Sequence, residues 1–372
     1  MNRAHTFKRG FVWRLVAIAV IGTVALSGCG SGAGGSGGGA ATLRYGSGLP
    51  DTIPLAKTDI AGLDAITQAD SSITWNKNFG GALVDLPETL AAIQDGRLDA
   101  GYLSDGVVAQ QLPLWSVVQI PFETSDPIAA ARALQELYET NDDFRKMFED
   151  QKIHVLHFLP IGPSIVGTDD KISSTDDLEG QRVRAFGLLG VAAKNVGADP
   201  VDLPFAELYD ALQRKVVDGF IGMSFDTGQA SGFYKLKNHV TDMRTGLYAS
   251  GLTAMNLDKY NSLSDEQRTA IDGVTDDFYT GVANDIVVKA ESDACMAAKA
   301  DGVTLAQIDE DAAAAWKSEV GDAVVRAWMK QVVAAGVDEA AATAVLEEYR
   351  VLVAKYSADS PYVNGVGSCL GG

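Results

Sequence analysis

Positive charge is scarce in this sequence. Its 372 residues carry 30 lysines and arginines against 49 aspartates and glutamates, a formal net charge of -19. Such a surface repels phosphate backbones, which excludes nucleic acid as a partner. Histidine is rarer still, at four residues, and the pair in the body, His154 and His157 in "KIHVLHF", falls on opposite faces of a strand by alternation. That placement argues against a metal centre. There is no Gly-rich phosphate loop, no Ser-centred elbow and no Cys-x-x-Cys; nothing calls for a cofactor, and a hydrolase would have only Asp and Ser residues to build from. Cysteine numbers three, at positions 29, 295 and 369.

What is present points to a globular protein outside the cytoplasm. A 47% hydrophobic content over this length can bury the cores of two lobes, and 21% charged residues argue against wholesale disorder. Basic residues precede the apolar run Leu15 to Leu26, which is short for a bilayer span, and "LSGC" follows at Leu26 to Cys29. This resembles the lipobox of bacterial lipoproteins and implies that residues 1–28 are a signal peptide and Cys29 the lipidated N-terminus. Removing Arg3, Lys8, Arg9 and Arg14 with it leaves -19 - 4 = -23. Residues 29–41 then hold the lipidated cysteine and a Gly/Ser tether, a membrane anchor with reach. Cys295 and Cys369 remain; an even pair in an oxidising compartment reads as a disulfide pinning the tail, with two buried thiols as the other arrangement.

Along the body, "ATLRYGSG", "SSITWNKNF", "AGYLSDG", "IHVLHFLP", "QRVRAFG" and "DGFIGMS" read as strands or strand ends. Asp126 to Gln151 and Leu203 to Gln213 show helical spacing, so strands alternate with helices in an α/β fold. From Ser264, with Gln267 completing a capping box, the pattern turns almost wholly helical. Shifting the chain by 119 residues lays Glu88 to Asp105 on Glu207 to Ser224 without a gap, Asp99 falling on Asp218. Two similar lobes facing each other make a cleft, and ligands in such sheets sit beyond the carboxyl ends of the strands. That places Ser104, Asp105, Met223 and Ser224 near one crevice. In "QRVRAFG", Arg184 is nearer the carboxyl end of its strand and is the arginine that reaches the cleft, while Arg182 reads as a surface counter-charge.

The stretch Ser174 to Gly219, with "LEGQRVR", "GADP", "LPFAELY" and "ALQRKVVDG", resembles the dicarboxylate-binding (DctP-like) solute-binding proteins of TRAP transporters. "IQDGRLDAGYLSDG", "QIPF" and "AMNLDKYNSLSDEQRTAI" extend the likeness over nearly all of residues 42 to 350. The resemblance implies a two-lobed periplasmic-binding-protein-like (type II) fold with mostly parallel sheets, a hinge cleft and a helical C-terminal third. Lobe I would take residues 42–163 plus about 251–285, and lobe II 164–250 plus about 286–372. It implies a binding protein rather than an enzyme, one that delivers a small organic acid to TRAP-type permease subunits. Arg184 would clamp the ligand carboxylate and Phe205 lie against its carbon skeleton; Asp85, Ser104 and Asp105 fall where the other lobe supplies polar contacts, Asp105 being equally suited to capping a helix or loop, and Ser47 lies on the loop after the first strand, within reach of the ligand. Gly222 stands where relatives commonly have an asparagine that contacts the carboxylate, and Ser164 where some sialic-acid binders place a second arginine, which argues for a smaller or less polar acid. A receptor for an ABC importer, or a ligand sensor for a membrane kinase, would share the two-lobe logic; the helical C-terminal third favours the TRAP reading.

Overall fold

The computed structural model describes residues 39–273 and 276–371; the leader and Cys29 lie outside them. Eleven strands among the described residues form two sheets. In chain order they are β1 (Ala41–Gly46), β2 (Ile73–Asn78), β3 (Ala100–Ser104), β4 (Ile153–Leu159), β5 (Ser164–Thr168), β6 (Arg182–Arg184), β7 (Asp199–Val201), β8 (Gly219–Ser224), β9 (His239–Asp242), β10 (Gly251–Asn256) and β11 (Thr304–Gln307). The first sheet runs β2-β1-β3-β10-β4 and the second β11-β9-β5-β8-β6-β7. Each contains one reversed strand, β10 between β3 and β4 and β5 between β9 and β8. The sheets are therefore mixed, and the reversal has a topological cause. The chain leaves the first sheet after β4, enters the second through β5, and returns from β9 to β10, so each arriving strand runs against its new neighbours.

The repeat seen in the sequence has a structural basis at Asp99 and Asp218. Asp99 accepts from the Arg44 N–H through Oδ2 at 2.7 Å, and its own N–H donates to the Arg44 carbonyl at 2.9 Å. Asp218 does the same for Arg182, at 3.0 and 2.6 Å. Each aspartate thus ties the start of one strand to its parallel neighbour. The equivalence makes Arg182 the counterpart of Arg44, and its exposed guanidinium pairs with Asp218 at 3.3 Å. It is the surface counter-charge that the sequence suggested.

The span of helical spacing over residues 126–151 forms two helices, Pro127–Thr140 and Asp142–Asp150. Asn141 sits between them in an extended conformation and accepts from the Phe144 N–H, capping the second. The Ser264 capping box is present, Ser264 Oγ accepting from the Gln267 N–H at 3.3 Å and Gln267 Oε1 from the Ser264 N–H at 3.1 Å. The C-terminal third differs from expectation in two ways. It contributes β11, a short half-buried strand that pairs parallel with β9. It also does not follow the second sheet alone: helix Glu339–Ser357 packs on Pro127–Thr140, which covers the first sheet. Helix Glu310–Ala334 bridges the lobes, touching helix Gly187–Asn195 on one side and the turn Pro113–Gln119 on the other. Its buried stripe Trp316, Val320, Val324, Trp328 and Val332 recurs every fourth residue, and Trp328 Nε1 donates to Ser116 Oγ at 3.0 Å. A disulfide joins Cys295 to Cys369 with Cα atoms 5.7 Å apart, fixing the tail to helix Asn284–Ala300.

Candidate functional site

A cavity of about 240 Å³ opens where β3, β6 and β8 end and where both sheet-to-sheet crossings pass. Seven of the residues placed at the cleft from the sequence line it: Ser104, Asp105, Arg184, Phe205, Gly222, Met223 and Ser224. Two do not. Ser47 is buried beside the cavity and spends its hydroxyl accepting from the Leu49 N–H at 3.1 Å, so Leu49 lines the wall instead. Asp85 is exposed ahead of the turn Leu86–Glu88, away from the cavity.

Arg184 is the sole cation of the lining and only 5% exposed. Its Nε donates to the Leu203 carbonyl at 3.2 Å and its Nη1 to the Gly222 carbonyl at 3.1 Å, while the guanidinium carbon lies 4.6 Å from the centre of the Phe186 ring. A guanidinium has five N–H donors. Three of them, one on Nη1 and both on Nη2, have no protein acceptor among the described residues. Burial holds the Arg184 pKa below its ordinary value, yet the group stays charged. A buried cation without a counter-ion is costly, and the fold holds this one aimed into a space walled largely by Leu49, Ile53, Phe186, Phe205 and Val287.

Asp105 is buried at the end of β3, and burial pushes its pKa up to about 7. Its oxygens are engaged, Oδ1 by the Gly106 N–H at 2.7 Å and Oδ2 by the Ser250 N–H at 3.0 Å. It therefore ties β3 to the β9–β10 crossing, the loop-holding role that the sequence left open beside ligand contact. Ser224 donates to Thr227 Oγ1 at 2.8 Å and gives its N–H to Tyr248 Oη at 3.1 Å. Phe205 is half exposed at the start of helix Phe205–Gln213, its ring edge-on to Phe233 at 5.8 Å.

The family model whose description reads DctP, bacterial extracellular solute-binding protein, family 7, matches residues 72–331. The chain belongs to this family. Among its relatives, the outer membrane transporter protein TsaT of Comamonas testosteroni is 28% identical over 259 residues, 68% of this chain and 74% of that one. The ectoine-binding periplasmic protein TeaA of Halomonas elongata is 25% identical over 241 residues, 64% of this chain and 70% of its own. A TRAP solute-binding protein of Rhodoferax ferrireducens, crystallised with copurified benzoate, superimposes with a TM-score of 0.73 at 22% identity, covering 86% of this chain and 99% of that one. At that identity the superposition speaks for the fold.

In this DctP-family protein, Gly222 and Ser164, the two positions at which the resemblance leads one to expect other residues, act together in the structure. Gly222 lies within β8 at φ +87°, where the register against β5 shifts, a conformation that costs little only for glycine. A Cβ there would meet Leu189 at 3.1 Å. The bulge turns the Gly222 carbonyl onto Arg184, and the Gly222 N–H is satisfied by Ser164 Oγ at 3.1 Å. The glycine and the serine thus support one another in aiming the arginine.

Sequence reasoning missed Phe186, Tyr248 and Asp226, all of which line the cavity. Phe186 had a signal, since it follows Arg184 by two residues at the end of β6. Asp226 stands two residues past Ser224, in the first turn of helix Phe225–Ala230. Tyr248, whose pKa burial pushes up to about 12, comes from the β9–β10 crossing, where no periodicity reports direction.

Proposed function

We propose that this extracellular solute-binding protein captures a small organic acid in its cleft and hands it to a TRAP-type membrane permease. The observation that carries the reading is Arg184, a buried guanidinium with free donors and no carboxylate within ion-pair distance among the described residues, in an otherwise apolar cavity. A carboxylate is the group that its planar fork fits best. The cavity volume suits a compact acid, and Phe186 and Phe205 offer faces to an apolar or aromatic skeleton. The ligands of relatives and structural neighbours, ectoine, benzoate, 3-hydroxybenzoate and galactonate, each carry a carboxylate. A thermal-shift screen of monocarboxylates, dicarboxylates, 2-oxo acids and uncharged solutes tests the reading. Carboxylates should raise the melting temperature and uncharged solutes should not; stabilisation by uncharged solutes alone would refute it.

Anchoring belongs to the same proposal. Cys29, preceded by a basic, apolar leader and followed by a glycine-rich tether, is the lipidation site that keeps the protein near its permease. No helix among the described residues is long and apolar enough to cross a membrane. Cys29→Ala should move the protein from the membrane fraction to the soluble fraction. A wild-type distribution in the variant would count against the anchor.

A further inference from the structure

Asp226 is a carboxylate of the cavity lining without an ion-pair partner among the described residues. The oxygens of Asp105, the other acid of the lining, are both taken by backbone N–H groups. Asp226 has no lysine, arginine or histidine within ion-pair distance among the described residues; burial raises its pKa, eased by hydrogen bonds from Ser224 and from the backbone N–H groups of Thr227 and of Asp226 itself. Nor does Arg184 pair with it: the donors that Arg184 spends on the protein go to the Leu203 and Gly222 carbonyls, and both side chains line the one cavity.

A second acid stands behind it. Glu291, on helix Asn284–Ala300, is 2% exposed and lies against Gly162 of the β4–β5 crossing. It accepts from Tyr362 Oη at 3.0 Å and from the Gly365 N–H at 2.8 Å. Burial first, and then the charge of Asp226, push the Glu291 carboxyl up to about 8. Two acids thus share one end of a largely apolar cavity, where both cannot ionise without repulsion and no cation among the described residues separates them. Elsewhere in the same cavity sits a cation without an anion.

We infer that the cavity is built for a zwitterion, a compact solute whose carboxylate meets Arg184 and whose cationic nitrogen group meets Asp226. The inference rests on the carboxylate reading of Arg184 and narrows its substrate class. A solute with a carboxylate alone satisfies the arginine but leaves Asp226 desolvated on its other side, and a dianion would add direct repulsion. Opposite charges at two fixed points also orient the solute, which a single clamp cannot do.

The test is calorimetric titration at pH 7.5 of wild type, Asp226→Asn and Arg184→Ala with four probes. Ectoine and 3-(aminomethyl)benzoate carry both charges, 3-methylbenzoate only the negative one and 3-methylbenzylamine only the positive one. At least one zwitterion should bind wild type ten or more times tighter than 3-methylbenzoate. Asp226→Asn should erase that advantage by weakening the zwitterion about tenfold while tightening 3-methylbenzoate. An equal or greater affinity of wild type for 3-methylbenzoate, no binding of either zwitterion, or an unchanged affinity ratio in Asp226→Asn overturns the inference. If 3-methylbenzoate then binds in an Arg184-dependent way, the carboxylate reading survives without the zwitterion. Binding of 3-methylbenzylamine with neither acid removes both.

Discussion

Arg184→Ala should weaken binding of the carboxylate ligand by about thirty- to several-thousand-fold, the equivalent of roughly 2–5 kcal/mol for leaving a desolvated ligand charge unpaired. The protein as a whole is strongly acidic, with a formal net charge of -19, and repels anions at long range. Affinity for an acid must therefore come from a local, oriented cation, and Arg184 is the one cation of the lining. Its donors to Leu203 and Gly222 fix the plane of the guanidinium and leave an end-on pair of N–H groups on Nη1 and Nη2 for two carboxylate oxygens. Arg184→Lys should restore only part of the loss, because an ammonium has neither the fork nor the face that lies on Phe186. Arg182→Ala is the internal control: its guanidinium is exposed and pairs with Asp218, so affinity should hardly change. Calorimetry on the three variants, with the tightest ligand from the screen, decides the matter. Wild-type affinity in Arg184→Ala would refute the clamp.

How much of this was legible in the sequence depended on the range of the interaction. The two-lobe plan was readable because Asp99 and Asp218 do the same local job, tying a strand to its neighbour a fixed distance after a helix. Arg184 was readable because it stands at the carboxyl end of its strand, where ligands of such sheets sit, whereas Arg182 stands at the start. Strands β5, β9 and β10 are hard to read because they are short and buried on both faces, so polar and apolar residues do not alternate along them. Helix Glu339–Ser357 was assigned to the second lobe because nothing in an alanine-rich pattern says which neighbour its apolar face will meet. Gly222 was the most instructive case. A glycine in a strand signals a bulge or a close approach, but only the φ of +87° and the carbonyl on Arg184 distinguish a supporting residue from a lost ligand donor.

Stability should be greatest in mildly acidic solution and fall as the pH rises toward 8. Asp105 and Glu291 are the cause, since burial lifts their carboxyls from ordinary values of 3.8 and 4.5 to about 7 and about 8. Between those limits the unfolded chain has already released both protons while the folded protein still holds them. The folded state therefore binds more protons, and stability declines with pH across the window, levelling above about pH 8. At roughly 1.4 kcal/mol per pK unit, each acid can contribute on the order of a few kcal/mol to that decline. The opposite trend, from carboxyls held below their ordinary values by partners such as Arg132 on Asp359 and Arg182 on Asp218, is confined to more acidic solution, below about pH 4. Urea unfolding at pH 5, 6, 7 and 8 should show the fall directly. Glu291→Gln, which keeps an acceptor for Tyr362 and Gly365 but cannot ionise, should flatten the upper part of the curve. At pH 8 the variant should be at least as stable as wild type, and at pH 5 it should have no such advantage. A wild type equally stable at pH 5 and pH 8 would show that these two acids ionise in the folded protein without penalty, and the strain assigned to the acidic end of the cavity would not exist.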